Sequence, residues 1–474
     1  MKKRFLKISI LVFSSVLLTL LLGELVAKVY FSISPPPLGK FESREKQPPP
    51  YQNTSYFSAT FMEERKKVPS GITTLKENDL LILHDLEYKF FTIKNGQRRT
   101  TDQPENFKHR ILLFGGSTVF STDVPDQYTL PSYLQRLLNQ NFPNQYRVEN
   151  FGVMSVRAYQ ELELLKLVGV NEGDIVIFFD GVNDILYVVY YKGLSQSVIQ
   201  SANVTKKASQ TPFEKTILSL IDKFKEHSDA LKFLYYFSKK TYPNHIKEKT
   251  ELDKFVAHAE NEYIKIIQKA YKYTESFGAR FVHILQPNIY TRNKHSTYEQ
   301  SVVKNYLTVP PGAEVAFQNG NKSFREGLKN LQNQGIKSVD FSDVFNSKPE
   351  NDEYYLDFVH VNHLGNEIWA TEIYKTIKDD LVAVKDVSKG ESKFTGIPEH
   401  LLKKVKTAPQ LVKSLEHKKI NIVAFDGKFY GIPWDLGPVD LAQTDVSGLS
   451  GVVVAHSVKD IESLILQNSE DSKN

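Results

Sequence analysis

Cysteine is absent from this chain. Its absence removes disulfides, thiol nucleophiles and thiolate metal sites together, and leaves the compartment undecided on that ground. Net charge is small as well: 60 Lys and Arg against 55 Asp and Glu leave +5, with both signs mixed along most segments. No basic stripe interleaves with aromatics, which argues against nucleic acid as a partner. There are no internal repeats. What is present is ordinary for a globular protein, 41% hydrophobic and 24% charged, which argues against wholesale disorder. A length of 474 residues allows two or three domains, or one large domain with appendages. Phe and Tyr are plentiful and suit carbohydrate or acyl-chain surfaces, but they serve equally to fill cores.

Long apolar runs are confined to the start. Lys2, Lys3 and Arg4 precede an apolar stretch from Ile8 to Gly23, broken by Glu24 and resumed at Leu25. Basic residues ahead of an apolar segment keep the start in the cytoplasm and export the chain beyond that segment. Residues 1–31 therefore read as a cleaved signal peptide or an uncleaved anchor helix. No small-x-small cleavage site comes after the run, which favours the anchor. The run reaches the roughly 20 residues that a bilayer needs only with Glu24 near the outer interface. Residues 32–55 hold Pro35–Pro37 and Pro48–Pro50, a semi-rigid spacer. Residues 56–107 read as a β-rich lead-in, with Tyr88–Ile93 as a strand and Asn95-Gly96 as a hairpin turn.

From Lys108 the pattern becomes α/β. Ile111–Phe114, Arg147–Gly152 and Asp174–Phe179 read as strands, and Leu130–Leu138 and Tyr159–Leu167 as amphipathic helices. The continuous apolar run at 174–179 is the mark of a central parallel strand. Strand–helix alternation at this spacing predicts a doubly wound parallel sheet covered on both faces. Residues from about 187 to 250, with a helix near Phe213–Phe237, read as an insertion over the active edge of the sheet, in the manner of a lid. Further helices are predicted over Leu252–Ser276, Ser296–Leu307, Gly312–Gln334 and Leu364–Leu381, and strands over Ala279–Pro287 and Ser338–Phe341. The α/β unit runs over 108–385. Residues 386–474 form a small α+β unit with a hairpin over Ile420–Ile432 turning at Asp426-Gly427.

Chemistry is suggested at the ends of the strands. Arg110–Thr118 runs from a strand into Gly115-Gly116-Ser117, leaving a serine at the carboxyl edge, where α/β folds place their sites. A hydroxyl needs a base, and the base works best when a carboxylate fixes its tautomer. Asp357-Phe-Val-His360 offers that pair from one turn. Gly152 can bring a backbone N–H close to a ligand, and Asn183 can donate from its amide, so both are candidates to stabilise an oxyanion. Each also has a plainer reading, Gly152 as a turn glycine and Asn183 as a loop cap. Asp357, His360 and His363 could ligate a metal, with no further His or Glu cluster to help. Gly-Gly-Ser-Thr lacks the lysine and spacing of a phosphate loop. Asp184 reads as a support for the Asn183 loop, and Tyr187–Tyr191 as pocket lining or core.

Four blocks in order, Gly115-Gly-Ser-Thr118, Gly152, Gly181-Val-Asn-Asp184 and Asp357-Phe-Val-His360, resemble the SGNH (GDSL-type) hydrolase superfamily over about Lys108 to Asp380. Gly116 departs from the Asp of the name motif. The resemblance implies a flavodoxin-like sheet, Ser117 as nucleophile, His360 as base and Asp357 as its orienting acid. It also implies an oxyanion hole from the Ser117 and Gly152 N–H groups and the Asn183 side chain, with no cofactor and no metal. It further implies an esterase acting on O-acyl groups, such as acetyl, of an envelope carbohydrate, in a domain anchored to a bacterial membrane on its extracytoplasmic side. An O-acetyltransferase with the same triad and an inactive carbohydrate-binding or assembly protein are the alternatives.

Overall fold

A computed structural model describes residues 49–51, 54–68, 72–75, 80–191, 228, 230, 249–303, 313–384, 397, 410–415, 420–425, 428–433, 452–457 and 459–464, with 15, 18, 19, 21–30 and 32 near the start. In chain order the strands are β1 (Ile72–Leu75), β2 (Leu80–Leu83), β3 (Leu86–Glu87), β4 (Thr92–Lys94), β5 (Gln97–Arg98), β6 (His109–Gly115), β7 (Tyr146–Gly152), β8 (Ile175–Asp180), β9 (Arg280–Leu285), β10 (Ser338–Asp340), β11 (Gln410–Leu415), β12 (Ile420–Phe425), β13 (Lys428–Pro433) and β14 (Val453–Ala455). The helices are α1 (Ala59–Lys67), α2 (Ser117–Phe120), α3 (Leu130–Asn141), α4 (Ala158–Val168), α5 (Val182–Tyr191), α6 (Lys249–Glu275), α7 (Thr297–Val303), α8 (Ala313–Asn333) and α9 (His363–Val384).

The main sheet has eight strands in the order β10-β9-β8-β6-β7-β5-β4-β3. The five from β6 to β10 are parallel, and their order is the flavodoxin-like one. The chain winds one way from β6 to β7 and the other way from β8 onward, so the switch point lies between β6 and β8. A crevice at the carboxyl ends of the strands is expected at that point. Every residue of β6 and β8 is buried, as a strand covered on both faces requires. Arg110 and Asp174 pin the other ends of these strands by a buried pair, Nη2 to Oδ2 at 2.5 Å.

The lead-in joins this sheet. β3, β4 and β5 extend it as an antiparallel edge, attached to β7 through the pair Arg98 and Asn150. The turn at Asn95 and Gly96 takes φ of 53° and 74°, the left-handed pair that a tight hairpin needs. The single strand expected over Tyr88–Ile93 is interrupted instead. Glu64 on α1 accepts from the N–H groups of Lys89 and Phe90, and Tyr88 N–H turns back to the Phe91 carbonyl. A helix carboxylate here takes the donors that a ladder would have used.

The core is one cluster running from Tyr51 to Ile397, and the four-stranded C-terminal sheet has its own small centre at Ile422 and Ile461. β12 and β13 pair antiparallel across 426–427. The helix expected near Phe213–Phe237 lies outside the described residues, as does most of the expected anchor. Residues 21–30 are helical, and among the described residues no helix is long and apolar enough to cross a membrane.

Candidate active site

Ser117 stands at the switch point. β6 ends at Gly115, Gly116 is extended (φ −79°, ψ −153°), and Ser117 is the first residue of α2. The first N–H groups of a helix have no partner within it, and no hydrogen bond engages the Ser117 N–H among the described residues. The far end of this short helix is held by Arg98, 1% exposed. Its Nη1 donates to the carbonyls of Phe120 (2.7 Å) and Ser121 (2.5 Å), its Nη2 to that of Val124 (2.6 Å), and its Nε to Asp126 (3.1 Å). The guanidinium lies between the rings of Phe91 and Phe120. A planar fork of donors suits several carbonyls at once in a way a lysine does not. Nothing in the sequence pattern singled this arginine out.

His360 and Asp357 meet Ser117 from the loop before α9. His360 Nε2 lies 2.6 Å from Ser117 Oγ, and His360 Nδ1 lies 2.7 Å from Asp357 Oδ2. The other oxygen, Asp357 Oδ1, accepts from the N–H groups of Val359 (3.0 Å) and His360 (2.8 Å). Those two bonds close the loop and explain the three-residue spacing, because the carboxylate caps the turn that presents its own histidine. With a carboxylate at Nδ1, that nitrogen carries the proton, and Nε2 is left to accept from the serine hydroxyl. Asp357 is buried, and the His360 side chain keeps 11% of its surface exposed, enough to meet a substrate.

The oxyanion side differs from expectation at one residue. The Gly152 N–H donates to Asn150 Oδ1 at 2.9 Å, so the amide assigned to the oxyanion hole is used within β7. Gly152 has a different reason to be glycine. A Cβ there would lie 2.2 Å from Phe120 N and 2.7 Å from Val119 C, so α2 rests directly on its Cα. Asn150 completes the junction by donating from Nδ2 to the Val119 carbonyl at 3.3 Å. Beyond β7 the chain turns at Val153–Val156 with Ser155 exposed at φ 66°, and the Ser155 N–H makes no hydrogen bond among the described residues.

Asn183 does reach the serine turn. A Cβ on Gly116 would sit 2.5 Å from Asn183 Nδ2, which places the amide over the residue that precedes Ser117. The same Nδ2 donates to the Val156 carbonyl at 2.7 Å, fixing the orientation of the amide while leaving its second N–H. Gly116, the departure from the family motif, is thus the position that makes room for Asn183. Asp184 accepts from Ala158 N–H at 3.3 Å, tying the first turn of α5 to the start of α4. Burial and the neighbouring Asp180 push the Asp184 carboxyl up to about 7 against the pull of Arg157.

His363 does not join the triad. Its Nδ1 lies 3.4 Å from Tyr56 Oη, and its ring packs against Tyr56 and Tyr128. Among the described residues no cluster of three His, Asp or Glu could hold a metal ion. The side chains of Tyr187–Tyr191 lie outside the described residues. A cavity of about 380 Å³ lies elsewhere, lined among others by Tyr290, Asn321, Lys322, Arg325 and Asp343, and none of the residues discussed above borders it.

No family model matches the chain, and no curated protein matches it. Among solved structures it is similar to a GDSL-like lipase from Parabacteroides merdae, with 12% identity over 59% of this chain and 99% of that one and a TM-score of 0.34. It is also similar to Axe2, an acetylxylan esterase from Geobacillus stearothermophilus, with 14% identity, 57% and 95% coverage and a TM-score of 0.31. LAE5, an alpha/beta hydrolase enzyme from the metagenome of Lake Arreo, matches at 11% identity, 60% and 98% coverage and a TM-score of 0.29. At these identities and scores, the functional reading rests on the geometry around Ser117.

Proposed function

We propose that the chain is a serine esterase of the SGNH type. One observation carries the reading: Ser117 Oγ, His360 Nε2, His360 Nδ1 and Asp357 Oδ2 form a continuous relay at 2.6 and 2.7 Å, between residues 243 positions apart. Ser117 attacks the ester carbonyl carbon as its proton passes to His360 Nε2. The carbonyl oxygen, now negative, is met by the Ser117 N–H, the free N–H of the Asn183 amide and the unengaged N–H of Ser155. Each such donor lowers the barrier by on the order of 3 kcal/mol in comparable sites. The intermediate collapses as His360 returns the proton to the departing alcohol, leaving an acyl group on Ser117. Water then gives its proton to the same nitrogen as its oxygen bonds to the acyl carbon; the bond to Ser117 Oγ breaks as His360 returns the proton to that oxygen, and the acid leaves. Asp357 keeps Nδ1 protonated throughout and stabilises the imidazolium.

Within this reaction class the substrate we propose is an O-acyl group, acetyl foremost, on an envelope carbohydrate. Support for that choice comes from the basic-then-apolar start of the chain, the pattern of a domain tethered outside the cytoplasm. The test uses the full-length chain in detergent with p-nitrophenyl acetate and an acetylated oligosaccharide. Wild type should hydrolyse the aryl ester and be labelled at Ser117 by a fluorophosphonate, and Ser117→Ala should do neither. Absence of turnover together with absence of label would overturn the enzyme reading. Release of free acetate, rather than transfer to an added oligosaccharide, separates hydrolase from transferase.

A further inference from the structure

Behind the start of α5, where Asn183 sits, lies a fully buried polar cluster that the proposed reaction does not use. Glu161 on α4 is 1% exposed and occupies the stripe of Ala158, Leu162, Leu165 and Val168 that α4 buries. Among the described residues, both its oxygens are without a hydrogen-bond donor, as is Asp180 Oδ2 at the end of β8. The two carboxyls lie within hydrogen-bond reach of each other. The far oxygen of Asp180, Oδ1, accepts from the Tyr263 hydroxyl, and Tyr263 Oη lies 2.6 Å from His283 Nε2. Because the tyrosine gives its proton to Asp180, His283 Nε2 must donate to the tyrosine oxygen. That chain aims its donors at Asp180, whereas Glu161 accepts from no donor among the described residues, so of the two carboxyls it is Asp180 that the surroundings favour as acceptor. Two facing carboxylates cannot both be charged in so dry a place, and no cluster of three ligating groups is present among the described residues to hold a cation instead.

We propose that Glu161 is held in its protonated form, donates its hydrogen bond to Asp180 Oδ2, and thereby acts as the positioning residue for the first turn of α5, which presents Asn183. Three contacts then join residues 156–161 to residues 180–184: the Val156 carbonyl to the Asn183 amide, the Ala158 N–H to Asp184, and Glu161 to Asp180. The first of these orients the amide over Gly116, and the third fixes the end of β8, from which Gly181 leads into α5. Burial, with Asp180 and Asp184 as neighbouring charges, drives the Glu161 carboxyl well above the usual carboxylate range. The titratable groups around it are Asp180 on β8, Asp184 on α5, Tyr263 on α6, His283 on β9 and Arg157 at its own helix start. β2 (Leu80–Leu83) also packs on α4 and brings no titratable group, while β6 brings His109 and Arg110, the latter paired with Asp174.

The catalytic part of this inference rests on the esterase reading; the protonation part does not, and the experiment separates them. A carboxyl whose pKa is raised on folding stabilises the protein fully below its unfolded pKa and loses that contribution as pH rises towards the folded value. Glu161→Gln keeps a donor for Asp180 and cannot ionise, whereas Glu161→Leu keeps the bulk and loses the donor. In the full-length chain from pH 5 to 9, wild-type Tm should fall relative to Glu161→Gln by roughly 2–3 °C per pH unit. On p-nitrophenyl acetate, Glu161→Gln should keep kcat within about threefold, and Glu161→Leu should lose about tenfold or more in kcat with KM little changed. Parallel Tm curves for wild type and Glu161→Gln, or equal loss of kcat in the two variants, would overturn the proposal. Should wild type show no turnover, the esterase reading falls and the Tm curves alone decide the shared proton. Should Glu161→Leu fail to fold, the same curves and the kcat of Glu161→Gln decide.

Discussion

Replacing Arg98 with Met tests how the nucleophile turn is held. Met preserves most of the apolar stem between Phe91 and Phe120 but removes four donated bonds, to Asp126 and to the carbonyls of Phe120, Ser121 and Val124. Breaking a buried charge pair from one side costs roughly 3–5 kcal/mol, and each carbonyl left without a donor adds to that unless the loop opens to water. Asp126 is partly relieved because it also accepts from Thr92 N–H. A net loss of about 4 kcal/mol results, which at an m-value of about 3 kcal/mol per molar lowers the urea midpoint by about 1.3 M. The measurement is urea unfolding followed by fluorescence, to which the fully buried Trp369 contributes. Under conditions where the variant is still folded, hydrolysis of p-nitrophenyl acetate should fall at least tenfold, since a shift of about 1 Å in a reacting group costs on the order of 10² in rate. Arg98→Lys should recover the pairing with Asp126 but not the three carbonyls, and its midpoint should lie between the two. A midpoint change under about 0.3 M for Arg98→Met, equivalent to less than about 1 kcal/mol, would refute the idea that this side chain braces α2.

Three further outcomes are expected at the site. Asp357→Asn preserves the turn bonds through its remaining oxygen but reverses the tautomer of His360, so kcat should drop by on the order of 10⁴ while Tm moves little; a loss under tenfold counts against Asp357 as the orienting acid. Gly116→Ala forces a Cβ to within 2.5 Å of Asn183 Nδ2, displacing one oxyanion donor, and steady-state kinetics should show about 10²–10³ lost from kcat. Asp184 carries a raised pKa of about 7, so its contribution to stability is present below about pH 4 and is lost as pH rises through 7. Asp184→Asn should therefore match wild type in Tm near pH 4 and exceed it above pH 7, and a difference that does not change with pH contradicts the raised pKa.

The parallel strands and the meeting of Ser117, His360 and Asp357 were legible because local pattern and tertiary arrangement agree there. Ile175–Phe179 is apolar throughout because both faces of β8 are covered, and Asp357 precedes His360 by three because the carboxylate caps that very turn. Gly152 was legible as a glycine but not in its role. Close contact with α2 and donation to a ligand both call for a missing side chain, and only the bond to Asn150 separates them. Arg98 was hidden because three of its four acceptors are carbonyls, which leave no trace in residue type. The turn at Asn95 and Gly96 was legible, but that β3 to β5 join the main sheet was not, since they do so through one residue pair, too short for periodicity to register. Glu161 did leave a signal: it stands at i, i+4 and i+7 with Leu165 and Val168 on the buried stripe of α4. A carboxylate in an apolar stripe points to a buried partner.

The segment from Pro49 to Lys67 has a consequence for when and under what load the site exists. Tyr51 Oη donates to the Asp123 carbonyl and Arg65 to the Asp123 carboxylate, close behind the serine helix, while the Pro50 carbonyl accepts from Asn362 Nδ2, two residues past His360. The last of these closes a loop of 312 positions. During synthesis, Ser117 therefore emerges long before either its base or the residue that seats the start of the domain, and an unfinished chain carries a serine without reactivity. In the finished protein the same bond turns the beginning of the domain into a handle. Tension on the chain ahead of Pro49 is borne next to the loop that holds His360, so a mechanical pull would be felt first at that loop.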